Sequence, residues 1–189
     1  MISPRARVGI ATLCLSAAGL VGLVGYEGYT DRAVIPIPGD VPTIGFGTTE
    51  GVKLGDKTTP PKALSRALTD IQKYEGAVKR CVKVPLTQGE YDSFISASYN
   101  IGGEAFCNST LVKKLNAGDY DAVPAQLGKW VFNDGKPMAG LVNRRASEAG
   151  LWAKGAHVAS RTVPAAPAKP WWQRLIDSLL AALTKGRTS

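Results

Sequence analysis

The side chains able to do chemistry in this 189-residue chain narrow quickly. His157 is the single histidine and stands in GAHVAS without a second imidazole, so neither a histidine-based catalytic dyad nor a zinc site has a basis. Cys14, Cys81 and Cys107 lack metal-ligand spacing, which leaves the carboxylates. Glu27, in Tyr26-Glu27-Gly28, directly follows an uncharged apolar run over residues 8 to 25. A carboxyl held beside apolar groups has its ionised form desolvated and can stay protonated long enough to serve as a general acid. A Glu near a helix end is more often simply solvated, so position alone leaves both readings open.

The elements around Glu27 decide what it can reach. Residues 8 to 25 read VGIATLCLSAAGLVGLVG behind Arg5 and Arg7, the layout of an export signal with its cations on the inner side. As one helix this run reaches about 27 Å, barely the hydrocarbon thickness. Nine of its eighteen residues are Gly, Ala, Ser or Thr, so it is expected both to insert and to be able to leave. Cleavage at Ser16-Ala17-Ala18 is the alternative, and it too leaves Glu27 on the mature chain.

Beyond Glu27, two prolines and Gly39-Asp40 precede Pro42-Thr43-Ile44-Gly45-Phe46-Gly47, so residues 34 to 50 read as a small hairpin lobe. Helical signals follow. Thr59-Pro60 opens a helix running towards Arg80, and Thr87-x-x-Glu90 is a capping box for a helix ended by Gly102-Gly103. Asn108 or Ser109 caps a third helix that stops at Gly118, and residues 121 to 130 and 138 to 154 make two more. The expected fold class is α+β, predominantly helical, with a small β-hairpin lobe and a helical lobe.

Residues 158 to 170 form a Pro/Ala linker. Residues 171 to 189 hold a stripe of Trp171, Trp172, Leu175, Ile176, Leu179, Leu180 and Leu183, with Lys185 and Arg187 closing it. This cationic amphipathic helix suits contact with an anionic membrane through residues 171 to 185, or packing on the body. The net charge of +8 is weighted to the two ends, which argues against nucleic acid as a partner and for lipid and an acidic polymer. Three cysteines allow one intramolecular bond at a time. Outside the cytoplasm Cys81 with Cys107 is the natural pair, since both lie in the expected body. Cys14 reads either as a small buried hydrophobe or as a thiol that exchanges partners once its segment leaves a membrane.

Tyr26-Glu27-Gly28 followed by Pro42-Thr43-Ile44-Gly45-Phe46-Gly47-Thr48-Thr49 closely resembles the catalytic region of the phage-type lysozymes, glycoside hydrolase family 24. The likeness continues through Val84-Pro85-Leu86-Thr87-Gln88, Tyr99-Asn100-Ile101-Gly102, Ser109-Thr110-Leu111, Leu115-Asn116-Ala117-Gly118-Asp119-Tyr120, Trp130 and Gly140-Leu141-Val142-Asn143-Arg144-Arg145. It covers roughly residues 26 to 155 and implies a lysozyme-like fold. The implied activity is cleavage of the β-1,4 bond between N-acetylmuramic acid and N-acetylglucosamine in peptidoglycan by a Glu–Asp–Thr set, without a cofactor.

By that resemblance Glu27 is the general acid and Thr43 helps hold the attacking water. The family's Asp stands nine residues after the Glu and six before the Thr, where this chain has Pro36 and Ile37. The role is carried to Asp40, three residues before Thr43, with Asp31 as second choice.

The apolar run resembles that of signal-arrest-release endolysins. It implies residues 1–25 as a tether to the inner membrane, 26–157 as the catalytic domain, and a monomer held at the periplasmic face and then released. Two other activities remain compatible with the sequence: a lytic transglycosylase, which leaves a 1,6-anhydro end and needs no water-activating base, and membrane permeabilisation through the apolar ends.

Overall fold

The structure, a computed structural model, describes residues 7–36, 39–133 and 135–154. The linker, the C-terminal amphipathic helix and His157 lie outside the described residues.

A 3-10 turn at Ile10–Thr12 leads into α1 (Ala17–Glu27), then β1 (Thr30–Val34) and β2 (Thr43–Gly45). The strands pair antiparallel with Thr30 opposite Gly45 and Val34 opposite Thr43, and an irregularity lies between the two pairs. The lobe therefore begins four residues earlier than the prolines suggest. There follow α2 (Pro60–Cys81), α3 (Gln88–Ile101), α4 (Gly103–Asn108), α5 (Thr110–Asn116), α6 (Val123–Leu127), a second hairpin of β3 (Phe132–Asn133) and β4 (Lys136–Pro137), and α7 (Ala139–Lys154).

α3 is the centre of the helical lobe, buried along its whole length from Gly89 to Tyr99, with α1, α2, α4 and α7 packed around it. Its entry is fixed by the expected capping box: the Thr87 hydroxyl accepts from the Glu90 N–H, and the Glu90 carboxylate accepts from the Thr87 N–H at 2.8 Å. Phe94 packs against Phe106 and Trp152 with ring centres 5.2 and 5.0 Å apart. Leu86, Ile95 and Leu115 fill the surrounding space with no exposed surface. Such side chains contribute about 2 kcal/mol each. Cys81 on α2 and Cys107 on α4 are bonded with Cα atoms 5.5 Å apart, as the sequence pairs them, whereas Cys14 is free and exposed and is not the small buried hydrophobe its apolar setting suggested.

The N-terminal apolar run is where the local structure departs from the single helix read in the sequence. It binds the body in pieces. Val8 and Leu86 exchange backbone hydrogen bonds at 2.9 and 3.0 Å, the 3-10 turn follows, and residues 13–16 run without regular structure, Leu13 and Ser16 extended, before α1 starts. The body supplies partners for that irregular backbone. Leu15 N–H donates to Glu75 at 2.7 Å, the Cys14 carbonyl accepts from the Gln88 amide at 2.8 Å, and Ser16 N–H and hydroxyl both donate to Asp92, at 3.0 and 2.6 Å. Ser16 also caps α1 by accepting from Gly19 N–H. A Cβ at position 19 would lie 2.8 Å from Asp92 Cγ, so the small residues of this run let α1 approach α3 closely. Among the described residues no helix is long and apolar enough to cross a membrane.

Arg7 closes the arrangement. Its guanidinium forms a two-pronged pair with the fully buried Glu90, at 2.8 and 3.1 Å, and lies 3.7 Å above the Tyr120 ring. The hydrogen bond to Glu90 raises the Arg7 pKa above its ordinary value.

Candidate active site

Glu27 is the last residue of α1, and Gly28 ends the helix with a positive φ of 70°. The Glu27 side chain is 18% exposed, and its Oε1 accepts from Arg144 Nη1 at 2.6 Å. The sequence left apolar surroundings and solvation both open for this carboxyl; in the structure it rests on a guanidinium. The outcome has a clear origin. α1 ends as the apolar run ends, so its last turn leaves the apolar contacts and meets the polar face of α7.

Arg144 is nearly buried and holds three elements together. Besides Glu27 on α1, it donates to the Ser96 carbonyl on α3 at 2.9 Å and to Glu148 on its own helix at 3.3 Å. A guanidinium presents its donors in a rigid planar fork, which suits it to this role. Glu148 also accepts from the Ser96 hydroxyl at 2.7 Å and pairs with Arg145 at 3.1 Å. Burial pushes the Glu148 carboxyl up from its ordinary value, against the pull of Arg145 and Arg144.

The other carboxylate oxygen of Glu27 lies against the turn after β2. Gly47 has φ +82°, and a Cβ there would fall 2.9 Å from Glu27 Oε2. Only glycine allows both the conformation and the approach. This turn is tied to α3 through Tyr99, whose hydroxyl donates to the Phe46 carbonyl at 2.9 Å, and to α2 through Thr48, which donates to Asp70 at 2.8 Å. Burial pushes the Tyr99 phenol above its ordinary range.

Beside Glu27 opens a cavity of about 740 Å³, lined also by Tyr26, Asp40, Asn100, Trp130 and Arg144. Asp40 thus shares the cavity with Glu27. It is exposed, and its Oδ1 accepts from the Val41 N–H at 2.8 Å. Thr43 opens β2, where its hydroxyl donates to the Val41 carbonyl at 3.2 Å, and it is not among the cavity's lining residues. Asp31 lies in β1, exposed, with its carbonyl accepting from Thr58 N–H, and is likewise outside the lining. Sequence reasoning missed Arg144 as the partner of Glu27. Its one signal was an arginine pair, Arg144-Arg145, inside an otherwise amphipathic helix.

A helical lobe and a β-hairpin lobe, with a carboxylate at the end of the first helix facing the cleft, define a lysozyme-like glycoside hydrolase. The model of the phage lysozyme family matches residues 24–148, and the chain belongs to that family. An endolysin of Acyrthosiphon pisum secondary endosymbiont phage 1 is 38% identical over 142 residues, covering 73% of this chain and 97% of the relative. The SAR-endolysin of Pseudomonas phage phiKMV is 40% identical over 136 residues, covering 70% and 84%. Among solved structures, the endolysin from Escherichia coli O157:H7 phage FAHEc1 superposes with a TM-score of 0.69 at 35% identity, over 77% of this chain and 96% of that one. The protein is a muramidase of the endolysin type, and its substrate is peptidoglycan.

Proposed function

We propose that the chain works as a signal-arrest-release endolysin in which Glu27 is the catalytic acid. Glu27 donates a proton to the glycosidic oxygen as the bond from the sugar's anomeric carbon to that oxygen breaks. Asp40 takes a proton from the water that adds to the anomeric carbon, and Thr43 helps hold that water. Arg144 and Gly47 fix the Glu27 carboxyl from two sides, so the acid reaches the bond in one orientation.

The observation that carries this reading is that one helix performs two tasks: α1 is the C-terminal half of the apolar run and also carries Glu27 into the cleft. While residues 8–25 lie in the inner membrane, Arg7 is on the far side from Glu90, and α1 is absent from its place on α3. The body then waits at the periplasmic face with its acid unplaced. Release lets the run bind the body and completes the site. Cleavage near Ser16 would remove Leu13, which is 7% exposed, and the Arg7 contacts, so the packing favours an uncleaved segment.

In this reading residues 1–25 are the tether and 26–157 the catalytic domain. The released enzyme works as a monomer.

Two measurements test it. Glu27→Gln should abolish hydrolysis of purified peptidoglycan while the fold is kept; residual turnover near wild type would remove Glu27 from the acid's role. Protein recovered from the periplasm should retain its original N-terminus, and the membrane-held form should be inactive. A membrane fraction as active as the released one would overturn the release mechanism.

A further inference from the structure

The chain has four phenylalanines. Phe46, Phe94 and Phe106 are 0% exposed, whereas Phe132 is 59% exposed. It sits at the start of the β3–β4 hairpin, where it pairs with Pro137 and contributes nothing to the core. Phe132 lines the same cavity as Glu27. So does Met138, also a large apolar side chain left 45% exposed. Asn133 lines it as well, as does Asn100, whose amide oxygen accepts from Arg145 at 2.8 Å. What sets these two apart from the other exposed apolar side chains is that they share one cavity with a carboxylate and carboxamides, the mix of apolar surface and a few polar groups that ligand sites carry.

A hexosamine ring has one face of C–H groups and an edge of hydroxyls and an acetamide. An aromatic ring beside carboxamides is the complement of that shape. We infer that Phe132 is a substrate-binding residue, stacking its ring on the C–H face of an N-acetylhexosamine of the glycan strand, with Met138 extending the apolar surface and Asn133 facing the polar edge. The hairpin places this ring in the cleft by a short antiparallel turn through Gly135, which has φ +73°. The inference rests on the cleft of Glu27 being the glycan site. A lipid contact by the same two side chains is the competing role, and their sharing a cavity with the acid favours the sugar.

The test uses the full chain. Phe132→Ala should raise KM on purified peptidoglycan about tenfold, as the loss of one well-packed contact residue does, with little change in kcat. Phe132→Tyr should restore KM, and both variants should melt with the wild type. In the Glu27→Gln background, co-sedimentation with peptidoglycan should weaken when Phe132→Ala is added. That arm reads binding without turnover, so it reports on Phe132 even if the assignment of the acid fails. Unchanged KM and co-sedimentation would overturn the inference. So would a loss confined to kcat, a lowered melting temperature that accounts for the loss, or weakened binding to anionic vesicles with glycan binding intact.

Discussion

Arg144 reaches Glu27 across 117 residues of sequence, with Nη1 2.6 Å from Oε1. The same guanidinium holds the Ser96 carbonyl and Glu148, so the acid's orientation is coupled to the packing of α1, α3 and α7. Orientation and stability are therefore joined at one residue.

Arg144→Met should cost stability as well as activity. Glu148 is 1% exposed, and removing one partner of a buried pair leaves an uncompensated charge, at a cost of about 3–5 kcal/mol. Arg145 still faces Glu148, which places the expected loss at the lower end of that range. Urea denaturation measures it. Adding Glu148→Gln to Arg144→Met should recover part of the stability and none of the activity, because the orientation of Glu27 is still lost. Recovery of both would mean that Arg144 acts only through stability.

Asp40→Asn isolates the second carboxylate. Asp40 is exposed, and the bond its Oδ1 accepts from the Val41 N–H can equally be accepted by an amide oxygen, so the variant should melt like the wild type. If Asp40 activates the water, kcat should fall about a hundredfold. Thr43→Val should reduce kcat less, since the hydroxyl helps hold the water and takes no proton. Wild-type turnover in Asp40→Asn would transfer the role elsewhere.

The sequence made some of this legible and hid the rest for physical reasons. The capping box Thr87–Glu90 is local, as is the start of α2 at Pro60, and both could be read from neighbouring residues. The order of the resembling blocks pointed to Glu27, whereas Asp40 lies outside them and was reached only through its nearness to Thr43, which does not itself line the cavity. The two-residue strands at Phe132 and Lys136 and the six-residue α4 are too short to show a period. The partner of Glu27 lies 117 residues away, and that of Arg7 lies 83 residues away, beyond any local pattern. The apolar run read as one continuous helix because hydropathy reports what a segment can do in lipid. Its pieces on the body are set by Glu75, Gln88 and Asp92, which belong to other elements.

Arg7→Gln should loosen the N-terminal run. Glu90 is fully buried and caps α3, so removing the two-pronged Arg7 pair weakens the hold between the run and α3 and also removes the stack on Tyr120. The expected cost is about 2–3 kcal/mol, between an exposed and a buried pair, since Arg7 is 30% exposed. Hydrogen exchange should report the loss mainly in Val8, Leu15 and Ser16, whose N–H groups bond the body. Activity should follow to the extent that α1 leaves its place. Unchanged protection at those amides would show that the run holds without Arg7.

Alkaline pH should open the same interface from the other side. Burial pushes the phenols of Tyr91 and Tyr99 above their ordinary value, and at Tyr91 the hydrogen bond to Glu75 adds to the effect. A folded-state pKa above the unfolded one stabilises the fold fully below the unfolded value, about 10, and loses that contribution as pH rises beyond it. Melting temperature should therefore show no tyrosine-linked loss below about pH 9 and should fall above about pH 10, with the phenolate absorbance of these two residues appearing only on unfolding. The Tyr91 hydroxyl donates to the same Glu75 oxygen that accepts Leu15 N–H, at 2.9 and 2.7 Å, so this titration bears directly on the N-terminal run. Tyr91→Phe should cost about 1 kcal/mol at neutral pH and make the alkaline decline shallower. An alkaline decline as steep as that of the wild type would place the linked proton on another group.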